Sequence, residues 1–174
     1  MQKSKINSLL WIWLPTILWI VLIAIESTKY LSGANTGSWL KALFGQLHAP
    51  ISEGGLEQLN FLARKTGHFC GYGILSGLFF HSWRRTRWLY PRYRKFQVYW
   101  RPTWMFFALL GTLIVASLDE WHQSFLASRT GTPKDVALDM VGGLVFQCLI
   151  LTLFAIHNGG FRFESRSISA SEPR

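Results

Sequence analysis

Four carboxylates, two basic side chains and a histidine lie within the 25 residues DEWHQSFLASRTGTPKDVALDMVGG, from Asp119 to Gly143. Asp119, Glu120, His122, Gln123, Arg129, Lys134, Asp135 and Asp139 are packed there between two runs otherwise apolar enough to sit in lipid. A second group precedes them: Arg64, His68 and Tyr72 recur every fourth residue, which puts them on one stripe of a helix, with Lys65 beside them. Such residue types support three chemistries. Asp119 or Glu120 can act as general acid or base with His68 or His122 as the complementary group. Several carboxylates and a histidine can hold a divalent cation that engages phosphate oxygens. Arg64, Lys65 and Arg129 can grip a phosphate or carboxylate, for which guanidinium forks are well shaped. A fourth outcome involves no ligand: the acids and bases pair and lock helices together. The expected catalytic candidates are therefore Glu120, Asp119 and His68. The expected substrate-binding set is Arg64, Lys65, Tyr72, Gln123, Arg129, Asp135 and Asp139.

These groups need elements to hold them, and the apolar residues indicate which. Nearly half of the 174 residues are apolar, and they fall in four blocks. A helix crossing about 30 Å of hydrocarbon needs roughly 20 mostly apolar residues. The blocks predict transmembrane helices over about 9–25, 66–83, 103–122 and 136–156, within a single membrane domain covering 1–156, followed by a polar tail over 157–174. The expected fold is all-α, an integral membrane bundle of about four transmembrane helices. The first block is longer than a signal-peptide core and is followed by Glu26-Ser27-Thr28-Lys29, so it reads as a retained anchor, with Pro15 tolerated inside it. Trp39, Leu40, Leu43, Phe44 and Leu47 share a helical face suited either to lying on the membrane surface or to an ordinary connector. Gly67, Gly71, Gly73 and Gly77 make two small-xxx-small pairs in the second block. Thr132, Pro133 and Asp135 have the order of a capping box opening the fourth helix, which gives Asp135 a structural job as well as a candidate binding one. Asp139, one turn deeper and beside Gly142 and Gly143, has no capping role.

Charge sets the orientation. With the N-terminus cytoplasmic, the inner segments are 1–8, 84–101 and 157–174. They hold Lys3, Lys5, the seven bases of 84–101, Arg162, Arg166 and Arg174, which is 12 of the 18 Lys and Arg, but only two of the nine acids. Basic residues concentrate in cytoplasmic loops, so both termini are expected in the cytoplasm. The arginine-rich segment interleaves Trp88, Tyr90, Tyr93, Phe96, Tyr99 and Trp100, a pattern that also suits single-stranded nucleic acid. Anionic headgroups account for it without an extra partner, so no nucleic acid is expected. The same orientation brings the ends of three helices together: Arg64 to His68, Asp119 to Gln123, and Arg129 to Asp139 meet at the outer face. His68, Glu120 and Asp139 should then face one another rather than lipid, in a pocket where opposite charges offset the cost of burial.

Taken as a set, Arg64-Lys65-x-x-His68-x-x-x-Tyr72, Asp119-Glu120-x-x-Gln123, Arg129 and Asp135-x-x-x-Asp139-x-x-Gly142 resembles the VanZ-like membrane proteins, in motif order and in spacing, over roughly residues 60–145. Two positions depart from the pattern. Gly71 stands where many relatives carry an acid, and Asp139 where asparagine is more usual. The resemblance implies a multi-span protein of the bacterial inner membrane. The founding member of that family is linked to low-level resistance to the glycopeptide teicoplanin. No particular reaction is implied.

Function classes narrow accordingly. The first expectation is an envelope protein that binds the head of a membrane lipid or of a lipid-linked envelope precursor. The alternative is a membrane enzyme acting on a phosphorylated or glycosylated lipid with carboxylate and histidine, or a metal, assisting. Proton-coupled transport fits a buried Asp139, but four helices without an evident repeat make a small transporter. The chain contains no serine elbow, HExxH or glycine-rich phosphate loop. No organic cofactor is expected, and a divalent cation is the one cofactor the carboxylates leave open. Cys70 and Cys148 lie within apolar blocks without metal-ligand spacing and read as buried thiols.

Overall fold

Hydrophobic runs of this length, with no strand-like alternation, fold into helices throughout the described residues. A computed structural model describes residues 2–28, 33–48, 50–89, 101–126 and 131–157. Five helices follow in order: α1 (Gln2–Glu26), α2 (Gly33–Gln46), α3 (Glu53–Trp88), α4 (Pro102–Ser124) and α5 (Pro133–His157). Among the described residues, three stretches are long and apolar enough to cross a membrane: Lys5–Glu26, Pro102–Ser124 and Pro133–His157. Arg129, most of the arginine-rich segment and the serine-rich tail lie outside the described residues.

The centre of the bundle is α3, which packs against each of the other four helices. Its 36 residues extend for about 54 Å at 1.5 Å per residue, longer than a bilayer core is thick. Ser52 caps it by accepting from the Gly55 backbone N–H at 3.1 Å. The apolar stretch over 66–83 is the middle of this helix, which begins at Glu53, in keeping with the helical spacing of Leu56, Leu59 and Ala63 ahead of that stretch.

Around an apolar core that includes Leu75, Phe80, Trp104 and Ala108, burial in this bundle departs from that of a water-soluble one. Large apolar side chains such as Trp11, Leu18, Phe106, Ile114, Leu149 and Leu153 are exposed on the outside, while Thr16, Ser76, Ser82, Thr112 and Gln147 are buried inside. Lipid solvates the first group, and hydrogen bonds between helices satisfy the second. The Thr16 hydroxyl bonds that of Ser82 at 2.9 Å, and Ser82 donates onward to the Ile12 carbonyl at 3.1 Å, fastening α1 to α3 next to Pro15. The Trp19 indole N–H donates to the Gly71 carbonyl at 2.9 Å, one fastening further along. Gln147 donates to the Ser76 hydroxyl and carbonyl at 2.8 and 2.9 Å, doing the same for α5.

The four α3 glycines of identical spacing divide into two kinds. Gly73 and Gly77 face α5, where a Cβ on Gly73 would overlap the Phe146 ring. Gly67 and Gly71 have open space where a side chain would go. In return, α5 presents Gly142 to α3 so closely that a Cβ there would overlap the Phe69 carbonyl. Gly142→Ala is therefore expected to force the two helices apart, at the roughly 1–3 kcal/mol typical of overpacking. Thermal melting in detergent should show a clear fall in midpoint for Gly142→Ala and none for Gly67→Ala.

Candidate functional site

The C-terminal ends of α1 and α4, the first turns of α5 and the stretch of α3 around His68 meet at one face of the bundle. Two polar clusters form there. In the first, Asp119 accepts from three helices at once. The Tyr72 hydroxyl on α3 donates to its Oδ2 at 2.8 Å, Gln123 Nε2 one turn along α4 donates to the same oxygen at 3.0 Å, and the Ser27 hydroxyl at the end of α1 donates to Oδ1. Gln123 also donates to Ser27 at 2.9 Å. A half-buried carboxylate is stable when its lone pairs are filled in this way. Asp119 thus ties the end of α1 to α3 and α4.

The second cluster is far less satisfied. His68, Glu120 and Asp139 each turn inward, and one potential ligand atom from each lies within 4.8 Å of the others. The His68 Nδ1 to Asp139 Oδ1 separation is 3.3 Å. One Glu120 oxygen accepts from the Thr132 backbone N–H at 2.9 Å, while the other is buried without a hydrogen-bond partner. Asp139 Oδ2 is likewise buried without a partner, His68 Nδ1 and Asp139 Oδ1 have only each other, and Asp139 is 0 % exposed. Each buried polar atom left unbonded costs roughly 1–3 kcal/mol. The His68 ring lies nearly parallel to that of Tyr72, at 6.1 Å between centroids and 26° between planes, which joins the two clusters.

The loop into α5 departs from the predicted capping box. Glu120, from α4, accepts the Thr132 N–H, and the Asp135 side chain instead pairs with Lys65 of α3. Gly131 makes this possible, since a Cβ at that residue would overlap the Glu120 carbonyl. Spacing within one helix suggested the box; a partner twelve residues back took its place. Lys65 also lies 5.6 Å from the centre of the Phe61 ring.

Beside these clusters is a cavity of about 410 Å³ between α1, α2, α3 and α4. Arg64, His68 and Tyr72, the stripe expected from their spacing, all line it, with Glu26, Asp119 and Gln123. Its other walls include Ile23, Trp39, Leu40 and Leu43, and its floor includes the bare backbones of Gly67 and Gly71. The apolar face of α2 thus covers the cavity. Asn60 holds α2 there, donating to the Gly33 carbonyl and accepting from the Thr36 hydroxyl, both at 2.7 Å. A space of this size with charged and apolar walls can take an amphiphile, its polar end among Arg64, Glu26 and His68.

The structure brings together ten of the residues singled out above: Arg64, Lys65, His68, Tyr72, Asp119, Glu120, Gln123, Asp135, Asp139 and Gly142 all lie at this face. His122 and Lys134 are exposed. Ser27 and Asn60 are not expected from the sequence, and Thr132, expected only as a helix cap, contributes its backbone N–H to Glu120. Asn60 and Thr132 look like ordinary loop and cap residues, and Ser27 reads as the end of an anchor, because its partner is 92 residues away.

A family model described as VanZ/LLP1 matches residues 11–155. No curated protein sequence and no solved structure matches the chain.

Proposed function

The chain belongs to the VanZ/LLP1 family, and we propose that it is a four-span protein of the bacterial inner membrane that binds the polar head of a lipid or lipid-linked envelope precursor. In this reading α3 is the fourth span. It is less apolar than the others because its neighbours shield it from lipid, and interior helices can carry polar groups. Both termini face the cytoplasm, which the concentration of Lys and Arg in 1–8, 84–101 and 157–174 supports. The cavity then opens on the extracytoplasmic side.

The observation that carries this reading is the mixed lining of the cavity. Arg64 supplies a fixed positive charge for a phosphate or carboxylate, and Leu40, Leu43 and Ile23 supply a wall for an acyl or prenyl chain. Native mass spectrometry of the detergent-purified protein should find a lipid retained by the wild type. Arg64→Ala should lose at least about tenfold in affinity, the equivalent of one charge-assisted hydrogen bond of about 1.4 kcal/mol. Full retention of the same lipid by Arg64→Ala would remove the basis of the reading.

A second reading is an enzyme acting on a phosphorylated or glycosylated lipid, and the unbonded atoms of His68, Glu120 and Asp139 favour it. Asp119 is then a positioning group, since three donors already occupy its oxygens. Glu120→Gln separates the two: a binder keeps its lipid and its cellular role, whereas an enzyme keeps its lipid and stops turning it over.

A further inference from the structure

Three ligand-type side chains from three different helices converge here, and the one pairing among them, His68 Nδ1 with Asp139 Oδ1 at 3.3 Å, leaves Glu120 Oε1 and Asp139 Oδ2 without any partner. His68 Nδ1, Glu120 Oε1 and both oxygens of Asp139 are all buried, and apart from the His68–Asp139 ion pair none of them meets a polar partner. Glu120 is 5 % exposed and Asp139 is 0 % exposed, so bulk water does not solvate them. We propose that His68, Glu120 and Asp139 form a binding site for one divalent metal ion, with Zn²⁺ the best match to the donor set.

The geometry fits such an ion. Donors bound at about 2.1 Å around a tetrahedral centre lie roughly 3.4 Å apart. The His68 to Asp139 separation is 3.3 Å, and all three donors lie within 4.8 Å of one another. One imidazole nitrogen with two carboxylates favours a first-row transition ion over Mg²⁺ or Ca²⁺, which prefer oxygen alone. Two carboxylates also balance the charge of a divalent cation, so an electroneutral site is buried rather than two anions.

The surroundings hold the ligands in place. Thr132 N–H fixes the second Glu120 oxygen, and the Tyr72 ring lies against the His68 ring while its hydroxyl is anchored on Asp119. Partners of this kind orient ligands and tune their affinity. Three protein ligands leave a coordination position open, as in sites where a metal binds water or a substrate oxygen. His68 also lines the cavity, so that position is close to any bound headgroup. Metal binding itself does not depend on the amphiphile reading.

The test uses the full-length, tag-free protein with Cys70→Ser and Cys148→Ser, so that thiols contribute nothing. After chelator stripping, Zn²⁺ is added alone, and bound metal is measured by equilibrium dialysis with elemental analysis. About one Zn²⁺ per chain is expected, with a rise in thermal midpoint. Asp139→Asn and Glu120→Gln, which preserve shape, should each weaken binding at least about tenfold and abolish the thermal response. Co²⁺ should give visible d–d absorption that His68→Gln removes, a readout that serves if one carboxylate variant does not fold. The proposal is overturned if the wild type takes up no stoichiometric metal. It is also overturned if the three variants bind like the wild type, because the ion then sits on His48, His81, His122 or His157. Stabilisation by Asp139→Asn in a protein indifferent to Zn²⁺ counts against it too, marking the trio as a polar network only.

Discussion

Replacing Asp119 by alanine should lower the unfolding free energy by roughly 3–5 kcal/mol, more than any other single change at this face. The figure follows from what the side chain leaves behind. Tyr72, Gln123 and Ser27 all donate to it; without it the Tyr72 and Ser27 hydroxyls lose their acceptor, at about 1–3 kcal/mol for each stranded donor with incomplete additivity, while Gln123 keeps its bond to Ser27. The loss is concentrated on α1, whose end is joined to α4 through Ser27 in this network. Ser27→Ala and Tyr72→Phe each remove one donor together with its need for a partner, so each should cost only about 0.5–1.5 kcal/mol. Asp119→Asn should fall between, because its amide keeps one acceptor and turns a second donor toward groups that are already donors. Unfolding titrations in mixed micelles would give this order. If Asp119→Ala unfolds like the wild type and loses only function, then Asp119 is the acid–base group that its sequence context suggested rather than a fastening.

The contrast between Asp119 and its neighbour Glu120 shows where sequence reasoning reached its limit. Apolar length and charge distribution were enough to anticipate α1, α4, α5 and the meeting of three polar helix ends, because those depend on sums over many residues. The four-residue spacing of Arg64, His68 and Tyr72 was enough to put them on one wall. Which acid meets which donor depends instead on the rotation of each helix about its own axis, and no local pattern records that rotation. Asp119 and Glu120 are adjacent, so they point about 100° apart on α4, one toward Ser27 and Tyr72 and the other toward α5. The same rotation decides that Asp135 meets Lys65 rather than its own helix cap. It also decides that Gly73 is filled by Phe146 while Gly71, two residues earlier, borders empty space.

That last distinction yields the other large effect, on binding instead of stability. A leucine at position 71 is expected to abolish retention of the amphiphile, with a loss of at least about a hundredfold, or roughly 2.7 kcal/mol. A Cβ added at Gly71 meets no neighbouring atom within 4 Å, and Gly71 lines the cavity, so the leucine is expected to take up space there. The backbone is not disturbed, since only the Gly71 carbonyl, which every residue has, bonds to Trp19. Replacing a helical glycine should even stabilise the ligand-free protein by about 0.5–1 kcal/mol. Gly71→Leu and Asp119→Ala therefore have opposite signatures: one leaves a protein that melts as high as the wild type with an occluded cavity, the other a weakened bundle whose cavity walls come apart. Melting midpoints with and without added lipid, measured beside lipid retention in native mass spectra, distinguish them. If Gly71→Leu retains the same lipid as the wild type, the ligand occupies some other surface, and the space between α1, α2, α3 and α4 is a packing defect rather than a binding site.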